Sequence, residues 1–299
     1  MTLEIDMPRM LGDLGEVGPL AFGQWRFVGH DLTTATELVE TALDRGMNLV
    51  DTADVYGLDW GGTAFGQAEE LLGEVIASRP DLRDRMLLAT KGGITPPVPY
   101  DSSGRYLRKA LDDSLRRLRT DRIDLYQIHR PDLYSHPADV AATLDEFVDA
   151  GKVRAVGVSN HTPAQVEALS THLRHRLVSI QPEYSVSHLA PQRDGTLDQA
   201  MRLGLVPLAW SPLGGGGIVT GGGIRTELSI ALDRLAGREG VDRASIALAF
   251  VLAHPSKPVA IIGTQNPERL AAAEKALGVR LERRDVYDLI QASEGQALP

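Results

Sequence analysis

Four residues stand where short apolar runs give way to polar ones. Asp51 follows the run 47–50, Tyr56 lies five residues beyond it, Lys91 follows 86–89 and His129 follows 123–128. Together these types can move a proton to a carbonyl oxygen. A phenol ordinarily ionises near pH ~10, too high for ready exchange at neutrality. A lysine ammonium beside it stabilises the phenolate and pulls that value down. Burial would cost the ammonium its proton unless a carboxylate compensates, and Asp51 can provide that charge. His129 can hydrogen-bond the substrate oxygen and orient it. Any one of the four alone reads as a helix cap or an ion pair; four in order at consecutive run ends read as a site.

The elements that must position them are legible as a rhythm. Eight short apolar runs (19–22, 47–50, 86–89, 123–128, 153–158, 177–180, 205–209 and 258–262) are rich in Val, Ile and Leu, as strands buried on both faces are. Amphipathic helical patterns lie between them, at 66–78, 105–118, 138–150, 165–172, 197–203, 243–253 and 268–277, with a last one at 283–292. A capping box from Thr34 to Glu37 opens the first helix; Thr162 and Gln165 repeat that logic, and Asp242 and Asn266 cap two later helices. Eight strand–helix units point to a single-domain (β/α)8 TIM barrel spanning 1–299 with an extra C-terminal helix. The rival, a doubly wound sheet, needs G-x-G-x-x-G after an early strand, and that spacing is absent.

Composition narrows the chemistry. The 299 residues carry 31 Lys and Arg against 40 Asp and Glu, a net charge of −9, which argues against nucleic acid or anionic membranes as partners. With no cysteine there is no disulfide, thiolate metal site or Cys nucleophile, which suits a reducing compartment. The start, MTLEIDMPRM, has no apolar leader, so a cytoplasmic protein is expected. The uncharged stretch 203–224 holds Pro207, Pro212 and eight glycines, and reads as a strand followed by a glycine loop, not a membrane span. G-x-S-x-G and H-E-x-x-H are absent, and His172 and His175 sit at a solvated helix end, so no metal is expected.

These motifs resemble the aldo-keto reductase superfamily along nearly the whole chain. Asp51-Thr-Ala-x-x-Tyr56-Gly57, Ala89-Thr90-Lys91 and Gln127-Ile128-His129-Arg130-Pro131-Asp132 are similar to the family's catalytic segments. Gly157–Asn160, Gln181-Pro182-x-Tyr184-Ser185, Trp210–Leu213 and Ile262–Thr264 follow its cofactor-binding order; the long glycine loop 214–223 resembles a bacterial, YdhF-like branch. The resemblance implies hydride transfer between NADPH and a carbonyl. Tyr56, Lys91, Asp51 and His129 are then the catalytic set. Ser159, Asn160 and Gln181 would hold the nicotinamide amide, and Trp210, where the family usually has Tyr or Phe, would stack on the ring.

Gly23, Ser211, Pro212, Leu213, Gly215 and Gly263 would line the rest of the cofactor, their loops bringing backbone N–H groups to phosphate oxygens. Thr264 and Arg269 resemble the family's 2′-phosphate ligands; with one cation in that segment, NADP(H) is expected and NAD(H) is the alternative. Trp25 and Trp60 are candidate apolar walls of a substrate pocket, and short flanking segments suggest an open mouth for small aldehydes, ketones or sugar carbonyls. The resemblance fits a monomer or a larger assembly. Two other functions compete: a non-catalytic barrel that senses NADPH and binds a partner, and a lyase or isomerase without a nicotinamide.

Overall fold

The structure, a computed structural model, describes Leu3, Ile5 and residues 8–58 and 61–298. The eight apolar runs are eight parallel strands: β1 (Leu20–Gly23), β2 (Leu49–Asp51), β3 (Leu87–Gly92), β4 (Ile123–Ile128), β5 (Val153–Ser159), β6 (Leu177–Gln181), β7 (Val206–Ala209) and β8 (Val259–Ile262). They close into a barrel, with β8 returning to β1 through Ile262 opposite Phe22. The expected (β/α)8 fold is therefore what forms. Successive side chains on a strand point to opposite faces. Ala21, Leu49, Ala89 and Leu125 accordingly fill the lumen, while Phe22, Val50, Leu88 and Tyr126 join the layer beneath the helices.

The N-terminal hairpin is among the elements that the apolar runs do not announce. Arg9–Met10 pairs antiparallel with Glu16–Val17 around a 3-10 turn, Gly12–Leu14. Leu11, Leu14 and Val17 join the lumen cluster at the end where the strands begin. The mouth at the opposite end, where the strands finish, is left for polar residues.

The helices are α1 (Leu32–Asp44), α2 (Gln67–Ser78), α3 (Pro80–Arg85), α4 (Gly104–Arg117), α5 (Pro137–Asp149), α6 (Pro163–Ser170), α7 (Thr196–Leu203), α8 (Gly217–Thr220), α9 (Thr226–Glu239), α10 (Arg243–Leu252), α11 (Pro267–Ala272) and α12 (Arg283–Glu294). The Thr162–Gln165 box and the caps from Asp242 and Asn266 form as expected. The Thr34 box does not. Asp31 caps α1 by accepting from the Thr34 backbone N–H, so the helix starts one turn earlier. The stretch 268–277 is not one helix either, since α11 gives way to a 3-10 segment at Ala273–Gly278. The glycine loop holds a 3-10 turn and the short α8. Helix α9 lay outside the sequence reading because Arg225 offers no side-chain cap; its buried Leu228, Leu232, Leu235 and Ala236 were the available signal. Among the described residues, no helix is long and apolar enough to cross a membrane.

Candidate active site

Strand ends sort the polar residues at the mouth. Asp51 closes β2, Lys91 of β3 stands opposite Gln127 of β4, and Gln181 closes β6 opposite Ser159 of β5. Beyond β2 the chain stays on β3 for several residues. Thr52 N–H donates to the Ala89 carbonyl and Asp54 N–H to the Lys91 carbonyl. That extension brings Tyr56 back over Lys91.

Lys91 is completely buried. Its Nζ donates to Asp51 Oδ2 at 2.7 Å, to the Thr52 carbonyl at 2.8 Å and to the Tyr56 hydroxyl oxygen at 3.3 Å. An ammonium has three hydrogens, and all three are engaged. The phenol oxygen is thus an acceptor from lysine and keeps its own hydrogen to give elsewhere. Asp51 Oδ1 accepts from Gln181 Nε2 at 3.0 Å and from Gln127 Nε2 at 3.3 Å. Gln127 was quoted in the sequence motif without a role. Its position two residues before His129, whose backbone N–H extends the β4 ladder to Gly92, was the signal that could have found it. The His129 ring meets the Tyr56 ring edge-on, with centroids 5.6 Å apart at 77°. The His129 backbone N–H donates to the Gly92 carbonyl, while the ring Nδ1 is buried with no partner.

The electrostatics differ from expectation at one point. Burial pushes the Tyr56 phenol above its ordinary value, outweighing the opposing pull of Lys91 and, more distantly, Arg130. The Tyr56 ring is partly exposed, but the hydroxyl end reaches the enclosed ammonium, and that end sets the direction. Lysine therefore moderates the phenol without bringing it below the free value. For Lys91 itself burial pulls downward, but the Asp51 carboxylate and the Tyr56 oxygen outweigh it and hold the amine above its ordinary range. Burial, with the charges of Lys91 and Arg130, depresses His129 well below the usual imidazole value, so it is neutral at neutral pH.

A second ionic cluster lies behind the first. Thr90 precedes Lys91 and points to the other face of β3, where its hydroxyl donates to Glu69 Oε1 of α2 at 2.6 Å. Arg117, the last residue of α4, donates from Nε to Glu69 Oε2 at 2.7 Å. Asp54 and the Tyr126 hydroxyl are buried there without hydrogen-bond partners for their side chains. Both flank Gly92, where a Cβ would come within 2.1 Å of the Tyr126 hydroxyl. Burial, then the Glu69 charge, raise Asp54 well above the carboxylate range.

A third network runs along the neighbouring strand ends. Trp210 Nε1 donates to Asn160 Oδ1 at 3.0 Å; Asn160 Nδ2 donates to Ser159 Oγ at 2.8 Å and to the His129 carbonyl at 3.2 Å. Ser159 Oγ donates to the Gln181 carbonyl at 2.9 Å. Trp210 and Asn160, 50 positions apart, thus meet beside the Asp51–Lys91–Tyr56–His129 group.

The Aldo/keto reductase family profile matches residues 19–294. The chain belongs to the aldo/keto reductase family. It is an oxidoreductase of a family that generally uses NAD(P)H. It is 51% identical to the 6-dehydroglucose reductase of Novosphingobium aromaticivorans, over 97% of each chain. It is 34% identical to oxidoreductase YdhF of Escherichia coli, over 95% of this chain and 96% of the other, in keeping with the bacterial branch suggested by the glycine loop. Its fold superposes on a thermostable aldo-keto reductase, Tm1743, solved with the inhibitor epalrestat, at a TM-score of 0.83 and 27% identity, covering 96% and 99% of the two chains.

The residues present fit a nicotinamide dinucleotide of the kind this aldo/keto reductase family uses. Trp210 is half-exposed and hydrogen-bonded to the Asn160 amide. Gly214, Gly215 and Gly216 take left-handed φ values of 57°, 64° and 101° in succession, a backbone that side chains resist. A Cβ on Gly215, Gly216 or Gly263 would project into open space, a cradle that phosphate groups could occupy. Thr264 lies half-buried just before α11, and Arg269 is exposed in its first turn. Gly23 has a different reason to be glycine, since a Cβ there would come within 2.5 Å of Ile261 Cγ2. Ser211 has φ 50° and opens the glycine turn, followed by the buried Pro212 and the half-buried Leu213. Trp25 is half-buried just past β1, and Trp60 lies outside the described residues.

Proposed function

We propose that this chain reduces an aldehyde or ketone carbonyl to an alcohol with NADPH, with Tyr56 as the general acid. One observation carries the reading. Every hydrogen of the Lys91 ammonium is committed, one of them to the Tyr56 oxygen, so the phenol hydrogen is left for a substrate. The carbonyl oxygen would sit between that hydroxyl and the neutral His129 ring, which orients it. As Tyr56 releases its proton, the Lys91 ammonium stabilises the phenolate. Asp51, steadied by Gln127 and Gln181, keeps that ammonium charged. A bound NADPH supplies the hydrogen and electron pair that the carbonyl carbon gains. Ser159, Asn160 and Gln181 would hold its carboxamide, Trp210 its ring face, the residues 211–216 and Gly263 its phosphates, and Thr264 and Arg269 its 2′-phosphate.

The raised phenol keeps Tyr56 protonated at neutral pH, the form a general acid needs, but makes it a weaker acid, a cost that the Lys91 ammonium offsets as the phenolate forms. The relative at 51% identity favours a sugar aldehyde among carbonyl substrates, with an oxidised hexose such as 6-dehydroglucose as the first candidate. The cysteine-free, acidic sequence suits cytoplasmic chemistry of this kind. The test is initial rates with NADPH and with NADH against an aldehyde panel that includes 6-dehydroglucose. Tyr56→Phe should lower kcat by about 10²- to 10⁴-fold while NADPH still binds. Undiminished turnover by that variant removes Tyr56 from the role. Binding of NADPH with no carbonyl reduced would support the sensing barrel instead.

A further inference from the structure

Trp210 does more than present an aromatic face. Its backbone is fixed, with N–H donating to the Pro182 carbonyl and C=O accepting from Tyr184, so the indole leaves the end of β7 in a set direction. The indole nitrogen is a donor only, and an oxygen must face it. Asn160 provides that oxygen at 3.0 Å. Asn160 is itself in a left-handed conformation, φ 58°, with its backbone N–H tied to the Gln181 carbonyl. Its NH₂ group is spent on Ser159 Oγ and on the His129 carbonyl. Turned over, the same amide would set NH₂ against the indole N–H and oxygen against the His129 carbonyl. Donor would meet donor and acceptor would meet acceptor.

We propose that Trp210 is a positioning residue whose indole N–H locks the Asn160 amide so that the second lone pair of its oxygen is presented as an acceptor. That lock makes the ring-binding wall selective for a cofactor ring carrying an amide, and ties the wall to the backbone of His129. The inference rests on the cofactor reading above. Both Asn160 hydrogens are already used, so what the side chain still offers is a lone pair on Oδ1. An amide N–H of a bound nicotinamide satisfies that lone pair; a carboxylate on the same ring has no hydrogen to give and sets acceptor against acceptor. Tyrosine or phenylalanine at this position would stack but, lacking the indole N–H, would leave the amide without this lock.

The experiment compares binding of two oxidised dinucleotides by calorimetry: NADP and its nicotinic acid analogue, in which a carboxylate replaces the amide. Stacking and phosphate contacts are common to both, so the ratio of their dissociation constants isolates the amide contact. The unmodified protein should favour the amide by about 100-fold. Trp210→Phe should cut that ratio about tenfold, beyond any loss shared by both ligands. Asn160→Gly, which suits the left-handed backbone, should lower the preference at least as far, leaving what Ser159 and Gln181 contribute, and make Trp210→Phe without further effect on the ratio. An unchanged ratio in Trp210→Phe, with both ligands weakened alike, would reduce Trp210 to a stacking surface and overturn the proposal. If the unmodified protein binds neither dinucleotide, it is the cofactor reading that fails, and the result is distinct from a lost preference.

Discussion

Two ionic clusters sit back to back on β3, and neighbouring residues lead into each. Lys91 points into the mouth and gathers Asp51, Tyr56 and, at ring distance, His129. Thr90 points outward beneath α2 and α4 and gathers Glu69 and Arg117, with Asp54 and Tyr126 alongside. Each pairs a buried cation with a buried carboxylate at 2.7 Å. The difference is access. Tyr56 is partly exposed, so one group of the first cluster reaches solvent. Every member of the second, including Asp54 and Tyr126, is buried. On the proposed mechanism, buried ion pairs of similar geometry serve reaction in one cluster and cohesion in the other, and residue type does not distinguish them.

The comparison can be broken by removing each cation. Lys91→Met should show the largest effect, a fall in kcat of about 10²- to 10⁴-fold, measured on the folded fraction. Arg117→Met leaves Glu69 buried without its counter-charge and should cost about 3–5 kcal/mol of stability by urea unfolding. The folded molecules should retain kcat within about threefold. If Arg117→Met disabled turnover as severely as Lys91→Met, the two clusters would be one functional unit and the contrast would be wrong.

Asp54→Asn sharpens the contrast with a smaller effect. Burial and Glu69 raise the folded carboxyl well above its ordinary value, so the folded protein holds a proton there that the unfolded chain releases once pH passes about 4. Folding then takes up a proton, and rising pH favours the unfolded state by up to about 1.4 kcal/mol per pH unit in that window. Asparagine carries no such penalty. The variant should gain stability relative to the parent as pH rises from 5 to 7, with the gap closing toward pH 4. A gap that does not change with pH would mean that Asp54 is ionised in the folded protein.

Much of the fold was legible because parallel strands buried on both faces leave short, dense apolar runs, and all eight run positions became strands. Helix starts capped by Thr162, Asp242 and Asn266 were readable; at α1 two neighbouring residues could cap and Asp31, not Thr34, does, while α9 has no side-chain cap and was passed over. Asp51, Tyr56, Lys91 and His129 were legible as titratable groups at consecutive run ends, and the structure brings them together. Gln127 escaped because an amide carries no charge signal. Asp54 escaped because nothing in the chain says which side of β3 it faces.

The sequence by itself determined the barrel and the order of the groups around its mouth, because burial pattern and run length are local properties of the chain. Only the tertiary structure decided the direction of the Tyr56 shift and the separation of the two clusters. It alone also decided the path from Trp210 through Asn160 to His129. Desolvation depends on everything packed around a group, and a hydrogen bond between residues 50 apart depends on barrel closure and strand register, neither of which one segment encodes.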